Sequence, residues 1–367
     1  MVLKQFTHLN NINNTVKFPK KYINYLDNIY NETNKIKIID LEDFKIVNED
    51  VLNNNNRNIL KSLVNNFDYT DKFKNKISNL QRVDNINYIY ENTEVQITIY
   101  NNSKNNRLIN DIIKIINYCI TLFNRIHNPR KNVKIYILET NYRKRININR
   151  NNQLIEKNIN TGYTQSFSDI NQDYIVIYRT EELKKVLIHE LIHLYNFHAF
   201  QRPTNLNINK LLNCNNSRFS IFECYTETIA VILYTFYYSK KYNMDFNKLM
   251  KNQLEFSFLQ CAKLLYNQKI DTIAKLGKLP INETTNATSY FILKCSILNN
   301  LDLYKNIFNE TKGISLYNKK INLFDENLIK SINNTKFKNN TSTYLELIKT
   351  NKINKELLQT FRMNILD

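Results

Sequence analysis

Apolar residues recur at helical spacing through the first 80 positions of the chain, between turns that are rich in asparagine. This pattern predicts a mostly helical N-terminal accessory region over residues 1–84, in which we find no candidate chemistry. A different pattern begins near residue 85 and continues to the end. We expect residues 85–367 to form one domain, with a mixed sheet and a principal helix in 85–200 and a helical lobe in 201–367.

The segment after residue 85 alternates between apolar and polar residues, as half-buried strands do. Residues 88–100 predict a hairpin, because their apolar residues alternate on either side of a Glu-Asn-Thr turn. Helical spacing then predicts a helix over 108–126, and alternation resumes in 133–138. The order strand, helix, strand is typical of a mixed sheet with a helix on one face, so we expect an α+β fold.

Residues 160–165 (NTGYTQ) contain Gly162, one of only three glycines in the chain. A glycine inside a strand often marks a bulge or a place where another backbone approaches closely. An ordinary turn is the alternative interpretation. Residues 174–178 (YIVIY) predict a short buried strand, and everything after residue 180 has helical spacing. The predicted helices cover 181–200, 220–240, 246–267 and 286–308.

The composition excludes global disorder, since 43% of the 367 residues are hydrophobic. An excess of Asn, Ile, Lys and Tyr reflects A/T-rich codons, so asparagine runs do not indicate prion-like segments. The net charge is +18 and is spread along the chain. No nucleic-acid-binding motif accompanies this charge, which leaves a basic surface for polyanions as an open option.

Membrane and export signals are not recognisable in the sequence. The longest apolar stretch, 229–238, is half of the ~20 residues that a membrane-spanning helix needs. The N-terminus lacks the continuous apolar core of a secretory signal. The five cysteines form no CxxC pair, which favours free thiols in a reducing compartment. We therefore expect an intracellular protein without a membrane span.

The candidate chemistry lies in residues 180–200, TEELKKVLIHELIHLYNFHAF. Thr180 is predicted to cap a helix whose leucines form a buried stripe. His189 and His193 are four residues apart, so both imidazoles project from one side of that helix. With Glu190 they form HExxH, in which two histidines bind Zn²⁺ and the glutamate acts as general base on a water molecule.

Zinc requires a third protein ligand, and the sequence offers two sources for it. His198 follows His193 by five residues, but it lacks the glycine and the spacing of the metzincin motif. Glu223 and Glu227 are the better candidates, because they share one face of an otherwise apolar predicted helix. One would bind the metal, while the other would support a ligand histidine.

HELIH followed by glutamates on a second helix is similar to the gluzincin metallopeptidases, such as thermolysin. Their second motif is matched by the run ECYTE, which implies that Glu223 is the ligand and Glu227 a supporting residue. A rival alignment on TETIA makes Glu227 the ligand, and we favour Glu223. The resemblance implies a zincin-like fold and a transition-state stabiliser. Tyr290 is our candidate for that role, with a core-facing aromatic as the alternative.

Residues 85–300, and 160–232 most strongly, also resemble metallopeptidases encoded by large nucleocytoplasmic DNA viruses. The A/T-biased composition fits such a source, which implies a location in the host cytoplasm or the virion. The HELIH pentamer alone resembles clostridial neurotoxin light chains. By analogy with zincins, NTGYT would be an edge strand that pairs with an extended peptide.

We therefore expect a zinc metallopeptidase that acts on a protein or peptide substrate. The HELIH helix would form the floor of its cleft. Two alternatives from other classes remain open. One is a catalytically silent structural or virion protein with a zincin fold. The other is a basic, nucleic-acid-associated protein with a structural metal, although Glu190 would have no use beside such a metal.

Overall fold

The computed structural model describes most of the chain. The described residues are 16, 18–35, 45–49, 53–65, 71–126, 129–146, 153–196, 207–212, 220–278, 281–304 and 321–366. His198 and Cys214 lie outside these ranges.

The described residues combine helices with one sheet, which confirms the predicted α+β class. The strands are β1 (Lys45–Glu49), β2 (Arg82–Tyr90), β3 (Thr93–Asn101), β4 (Asn132–Leu138), β5 (Gly162–Gln165) and β6 (Tyr174–Ile177). The helices are α1 (Lys20–Lys35), α2 (Asn54–Asn65), α3 (Asp71–Ser78), α4 (Asn106–Asn124), α5 (Glu156–Ile159), α6 (Leu183–Leu194), α7 (Asn207–Leu211), α8 (Ile221–Lys241), α9 (Phe246–Asn267), α10 (Lys294–Asn299), α11 (Ile321–Asn333), α12 (Thr335–Lys349) and α13 (Lys355–Gln359). A π-helical segment, Thr288–Leu293, leads directly into α10.

The chain divides into two compact units. The first, which we call the sheet unit, comprises Tyr25–Arg143 and Asn160–Asn196. The second, the helical unit, comprises Met1–Asn24, Lys144–Ile159 and Phe197–Asp367. The domain boundaries that we predicted from the sequence stay a prediction.

The sheet unit contains all six strands, in the order β1-β2-β3-β4-β6-β5. Neighbours β1, β2 and β3 are antiparallel, β3-β4 and β4-β6 are parallel, and β5 pairs antiparallel with β6. The predicted mixed sheet is thus confirmed. It also takes in β1, from the N-terminal region for which we predicted helices, and places β5 at one edge.

The predicted hairpin is confirmed as β2 and β3. Its two turn residues, Glu91 and Asn92, both have positive φ, at 46° and 63°. A two-residue turn with positive φ at both positions matches the twist of the strands on either side. The predicted helix that follows is α4, which begins where the Asn105 side chain accepts a hydrogen bond from the Leu108 amide.

One face of β3 is buried along the whole strand, and the opposite face of the sheet is buried over part of its area. Val95, Ile97 and Ile99 on β3 are at most 1% exposed, as their alternation predicted. The opposite face, which carries Tyr100, packs in a hydrophobic cluster with side chains of α2 and α3. Because the face that carries Val95, Ile97 and Ile99 is buried, a one-residue shift in strand register would expose these side chains and would be costly.

The helical unit is built around α9, which packs against α8, α10 and α12. α9 also holds residues 361–366, all of which are buried. The Gln253 side-chain amide donates to the Met363 carbonyl and accepts from the Ile365 amide, both at 3.0 Å. Lys263 donates to the Leu357 and Thr360 carbonyls, and its burial lowers its pKa well below 10.5.

Four cysteines are free and buried in the described part of the chain, namely Cys119, Cys224, Cys261 and Cys295. Among the described helices, none combines the length and hydropathy that crossing a bilayer requires.

Candidate functional site

The HExxH sequence lies on α6, where both histidines project from one side of the helix. The Nε2 atoms of His189 and His193 are 2.9 Å apart. Two nitrogens that each bind a tetrahedral zinc at 2.0–2.1 Å would be separated by about 3.3 Å, so the pair is spaced nearly as zinc ligands are. The predicted stripe behind them is confirmed, because its leucines are at most 2% exposed. These are Leu183, Leu187, Leu191 and Leu194.

The start of α6 differs from the predicted one. Thr180 does not cap the helix; its hydroxyl instead donates to the Thr140 carbonyl at 2.9 Å. The helix begins two residues later, after Glu182, a buried residue with φ at 61°. The capping prediction was wrong because a carbonyl from the loop after β4 competes for the threonine hydroxyl.

The end of α6 is held by a buried arginine. The Arg130 guanidinium donates to the carbonyl of Leu194, the last residue of the helix, and to that of Ile170. Its third contact is an ion pair with Asp173 at 2.8 Å, and both side chains are at most 7% exposed. A cation at a helix C-terminus is favourable because it complements the helix dipole. This ion pair therefore fixes the end of the helix that carries His193.

Glu190 is 5% exposed and is held by the edge strand. The Thr164 hydroxyl on β5 lies 2.8 Å from Glu190 Oε2 and 3.0 Å from the Glu190 backbone carbonyl. The carboxylate between the two histidines thus has a fixed orientation. This contact joins the NTGYT segment to the HELIH helix, the two segments of the sheet unit that the sequence analysis singled out.

Gly162 brings β5 close to both β6 and α6. A Cβ atom at this position would lie 2.7 Å from the Val176 carbonyl oxygen and 3.3 Å from Val186 Cγ1. No side chain fits at the first distance, so glycine is required for this strand to lie where Thr164 reaches Glu190. The interpretation of Gly162 as a point of close backbone approach is confirmed.

In the helical unit, Glu223 and Glu227 lie one turn apart on α8 and have different neighbours. Glu223 is partly buried, and its Oε2 accepts a hydrogen bond of 2.9 Å from the Tyr290 hydroxyl. Glu227 is 1% exposed and forms an ion pair of 3.5 Å with the buried Lys294. Lys294 also donates to the Met363 carbonyl at 2.9 Å. The second glutamate is therefore part of the packed interior of this unit.

On α6, His189 and His193 supply two imidazole nitrogens, and on α8 Glu223 offers a partly buried carboxylate. Two imidazole nitrogens and one carboxylate oxygen are the donors that zinc prefers. The donor set therefore fits zinc. The carboxylate of Glu227 is paired with Lys294 instead.

Sequence reasoning missed three residues that support the candidate site. Thr164 was part of a segment that we singled out, but no pattern pointed to its hydroxyl. Lys294 had a weak signal, because it is a charged residue inside an otherwise apolar stretch of a predicted helix. Arg130 had none, since its contacts come from residues distant in sequence.

The chain matches none of the protein families, curated proteins or solved structures with which it was compared. The functional argument therefore rests on the motif and on the geometry of its residues.

Proposed function

We propose that this protein is a zinc-dependent metallopeptidase that hydrolyses peptide bonds. One observation carries the proposal. The two histidines of HExxH have their Nε2 atoms 2.9 Å apart, while the glutamate between them is buried and oriented by Thr164. A histidine pair on one helix does not by itself require an oriented carboxylate beside it, whereas hydrolysis does.

We propose His189, His193 and Glu223 as the zinc ligands. A zinc ion bound there would supply Lewis acidity, lowering the pKa of a water molecule and polarising the scissile carbonyl. Three protein ligands are typical of catalytic zinc sites, which keep a fourth position open for water, whereas structural sites are closed by four. The ligand count of this group thus favours a catalytic role.

Glu190 is the proposed general base. Its carboxylate would take a proton from the attacking water and later deliver that proton to the leaving amine. The hydroxyl of Thr164 keeps one carboxylate oxygen, Oε2, engaged. Oε1 is therefore the oxygen that we assign to proton transfer. We propose an extended peptide as the substrate, because β5 is an edge strand next to this carboxylate and edge strands can pair with extended peptides.

The test separates metal binding from catalysis. We expect the parent chain to bind about one zinc by elemental analysis and to cleave members of a fluorogenic library of short, unstructured peptides. Glu190→Gln should retain zinc, because Glu190 is not a ligand, but lose about 10²–10⁴-fold in turnover with the general base. His193→Ala, the control, should lose both zinc and turnover.

The outcomes distinguish the candidate functions. A Glu190→Gln variant that cleaves peptides as fast as the parent would show that the peptidase proposal is wrong. Stoichiometric zinc without cleavage of any peptide would instead favour a catalytically silent, zinc-binding protein. Absence of zinc after reconstitution would contradict both.

A further inference from the structure

We infer that Tyr290 is a positioning residue, which orients the Glu223 carboxylate and thereby sets the metal affinity of the site. The inference rests on the proposed function, because it takes Glu223 as a zinc ligand. It also changes the role that the family resemblance implies for this tyrosine. The starting observation is that the Tyr290 hydroxyl, on a side chain only 8% exposed, donates to Glu223 Oε2 at 2.9 Å.

The segment that carries Tyr290 contacts the first two turns of α8 at three successive points. Before Tyr290, the Ser289 hydroxyl lies 2.7 Å from the Ser220 carbonyl and 3.3 Å from the Ser220 amide. After it, Lys294 reaches Glu227. Contacts on both sides fix the backbone of Tyr290 relative to Glu223. The hydrogen bond between the two side chains is thus part of a continuous interface within the helical unit.

The π-helical conformation of Thr288–Leu293 makes these three contacts compatible. The Lys294 amide bonds to the Ser289 carbonyl, five residues earlier, which is the π-helical pattern. In an α-helix, residues 289 and 294 would point about 140° apart, so they could not both face α8. A π-helical turn has more residues per turn and brings them closer to one side. Such turns occur frequently at functional sites.

The chemistry of the contact suits a ligand carboxylate. A phenol is a neutral donor at physiological pH, so it orients the carboxylate without neutralising its charge. With Oε2 engaged by Tyr290, Glu223 would bind zinc through Oε1. Partners of this kind orient the ligands of metal sites, and their removal typically costs 10–100-fold in metal affinity.

The experiment measures zinc affinity by competition with a chromophoric chelator, in the full chain. We expect Tyr290→Phe to bind zinc 10–100-fold more weakly than the parent. Tyr304→Phe is the matched control, because it removes a comparable hydrogen bond of 3.0 Å to Ser331 in the same unit. Tyr304→Phe should bind zinc as the parent does. Thermal unfolding of both variants identifies any general loss of folding.

A second arm tests whether Tyr290 acts through Glu223. The weak zinc affinity that remains in a Glu223→Ala chain should not fall further when Tyr290→Phe is added, since the two residues act as one unit. A folded Tyr290→Phe variant with parental zinc affinity and reduced turnover would overturn the inference and assign Tyr290 to the transition state. A parent chain that binds no zinc would overturn the proposed function as well.

Discussion

At the scale of single residues, the two glutamates of α8 show how neighbours divide the roles of identical side chains. Glu223 is partly buried beside a neutral hydroxyl. Glu227, one turn further on, is paired with a buried ammonium group. A carboxylate that already pairs with a buried cation is a poor ligand, because binding a metal would leave the cation uncompensated. The different neighbours therefore favour Glu223 as the ligand.

We predict that Glu223→Ala nearly abolishes zinc affinity, because it removes a ligand. Glu227→Ala should lower zinc affinity by at most 10–100-fold, as a supporting residue would. It should also lower the unfolding temperature more than Glu223→Ala does, because Lys294 would keep a buried charge without its carboxylate. Chelator competition and thermal unfolding measure the two effects.

The reverse order of zinc affinities would assign the ligand to Glu227, as the rival alignment of the sequence does. Negligible losses from both variants would place the third ligand elsewhere, and His198→Ala would then be the variant to examine.

At the scale of helices and strands, the predictable elements were those whose buried apolar residues recur with the period of a helix or a strand. The hairpin, α4, β4, β6 and α9 agree with the predicted ranges to within a few residues, apart from the longer β2. The start of β2 and the whole of β1 were missed, because their sequences are polar and the strands form through pairing with neighbours. The contacts of Thr180 and Thr164 were not predicted for a related reason, since each hydroxyl bonds to a group distant in sequence.

In the candidate site, too, local patterns could be predicted and contacts between distant residues could not. The clustering of the two histidines and Glu190 could be predicted, because the HExxH motif itself fixes how far apart these residues lie on one helix. The preference for Glu223 over Glu227 came from the family resemblance alone, because the two share one helix face and differ only in what packs against them. Tyr290 was identified without its partner, since no sequence pattern indicates a π-helical turn.

We predict that Gly162→Ala destabilises the sheet unit by about 1–3 kcal/mol, because the new Cβ would overlap the Val176 carbonyl and force β5 to move. Thermal unfolding measures this loss. Gln165→Ala, a control on the same strand, should have little effect. A Gly162→Ala variant with parental stability would mean that β5 can shift at no cost, and would weaken the assignment of Thr164 as a support for Glu190.

At the scale of the whole molecule, stability depends on buried carboxyl groups as well as on apolar burial. Glu255 on α9 is fully buried, and burial raises its pKa from 4.5 to about 7. Burial likewise raises the pKa of Glu283 to about 7, although its carboxylate accepts a hydrogen bond from the Thr288 amide. Both belong to the helical unit, so they make its stability respond to pH in the same direction.

The folded state binds these two protons more tightly than the unfolded state, in which both groups titrate near 4.5. The stabilising contribution of each protonated group is therefore fully present below pH 4.5 and is lost as the pH rises through about 7.

We predict that the unfolding temperature of the metal-free chain, kept in chelator, falls by several degrees between pH 5 and pH 8. Glu255→Gln should flatten this dependence, because an amide needs no proton to stay neutral. Glu346→Gln, at an exposed position of the same unit, should leave it unchanged. If Glu255→Gln follows the parent curve across the whole range, Glu255 is not the titrating group and its carboxylate is hydrated in solution.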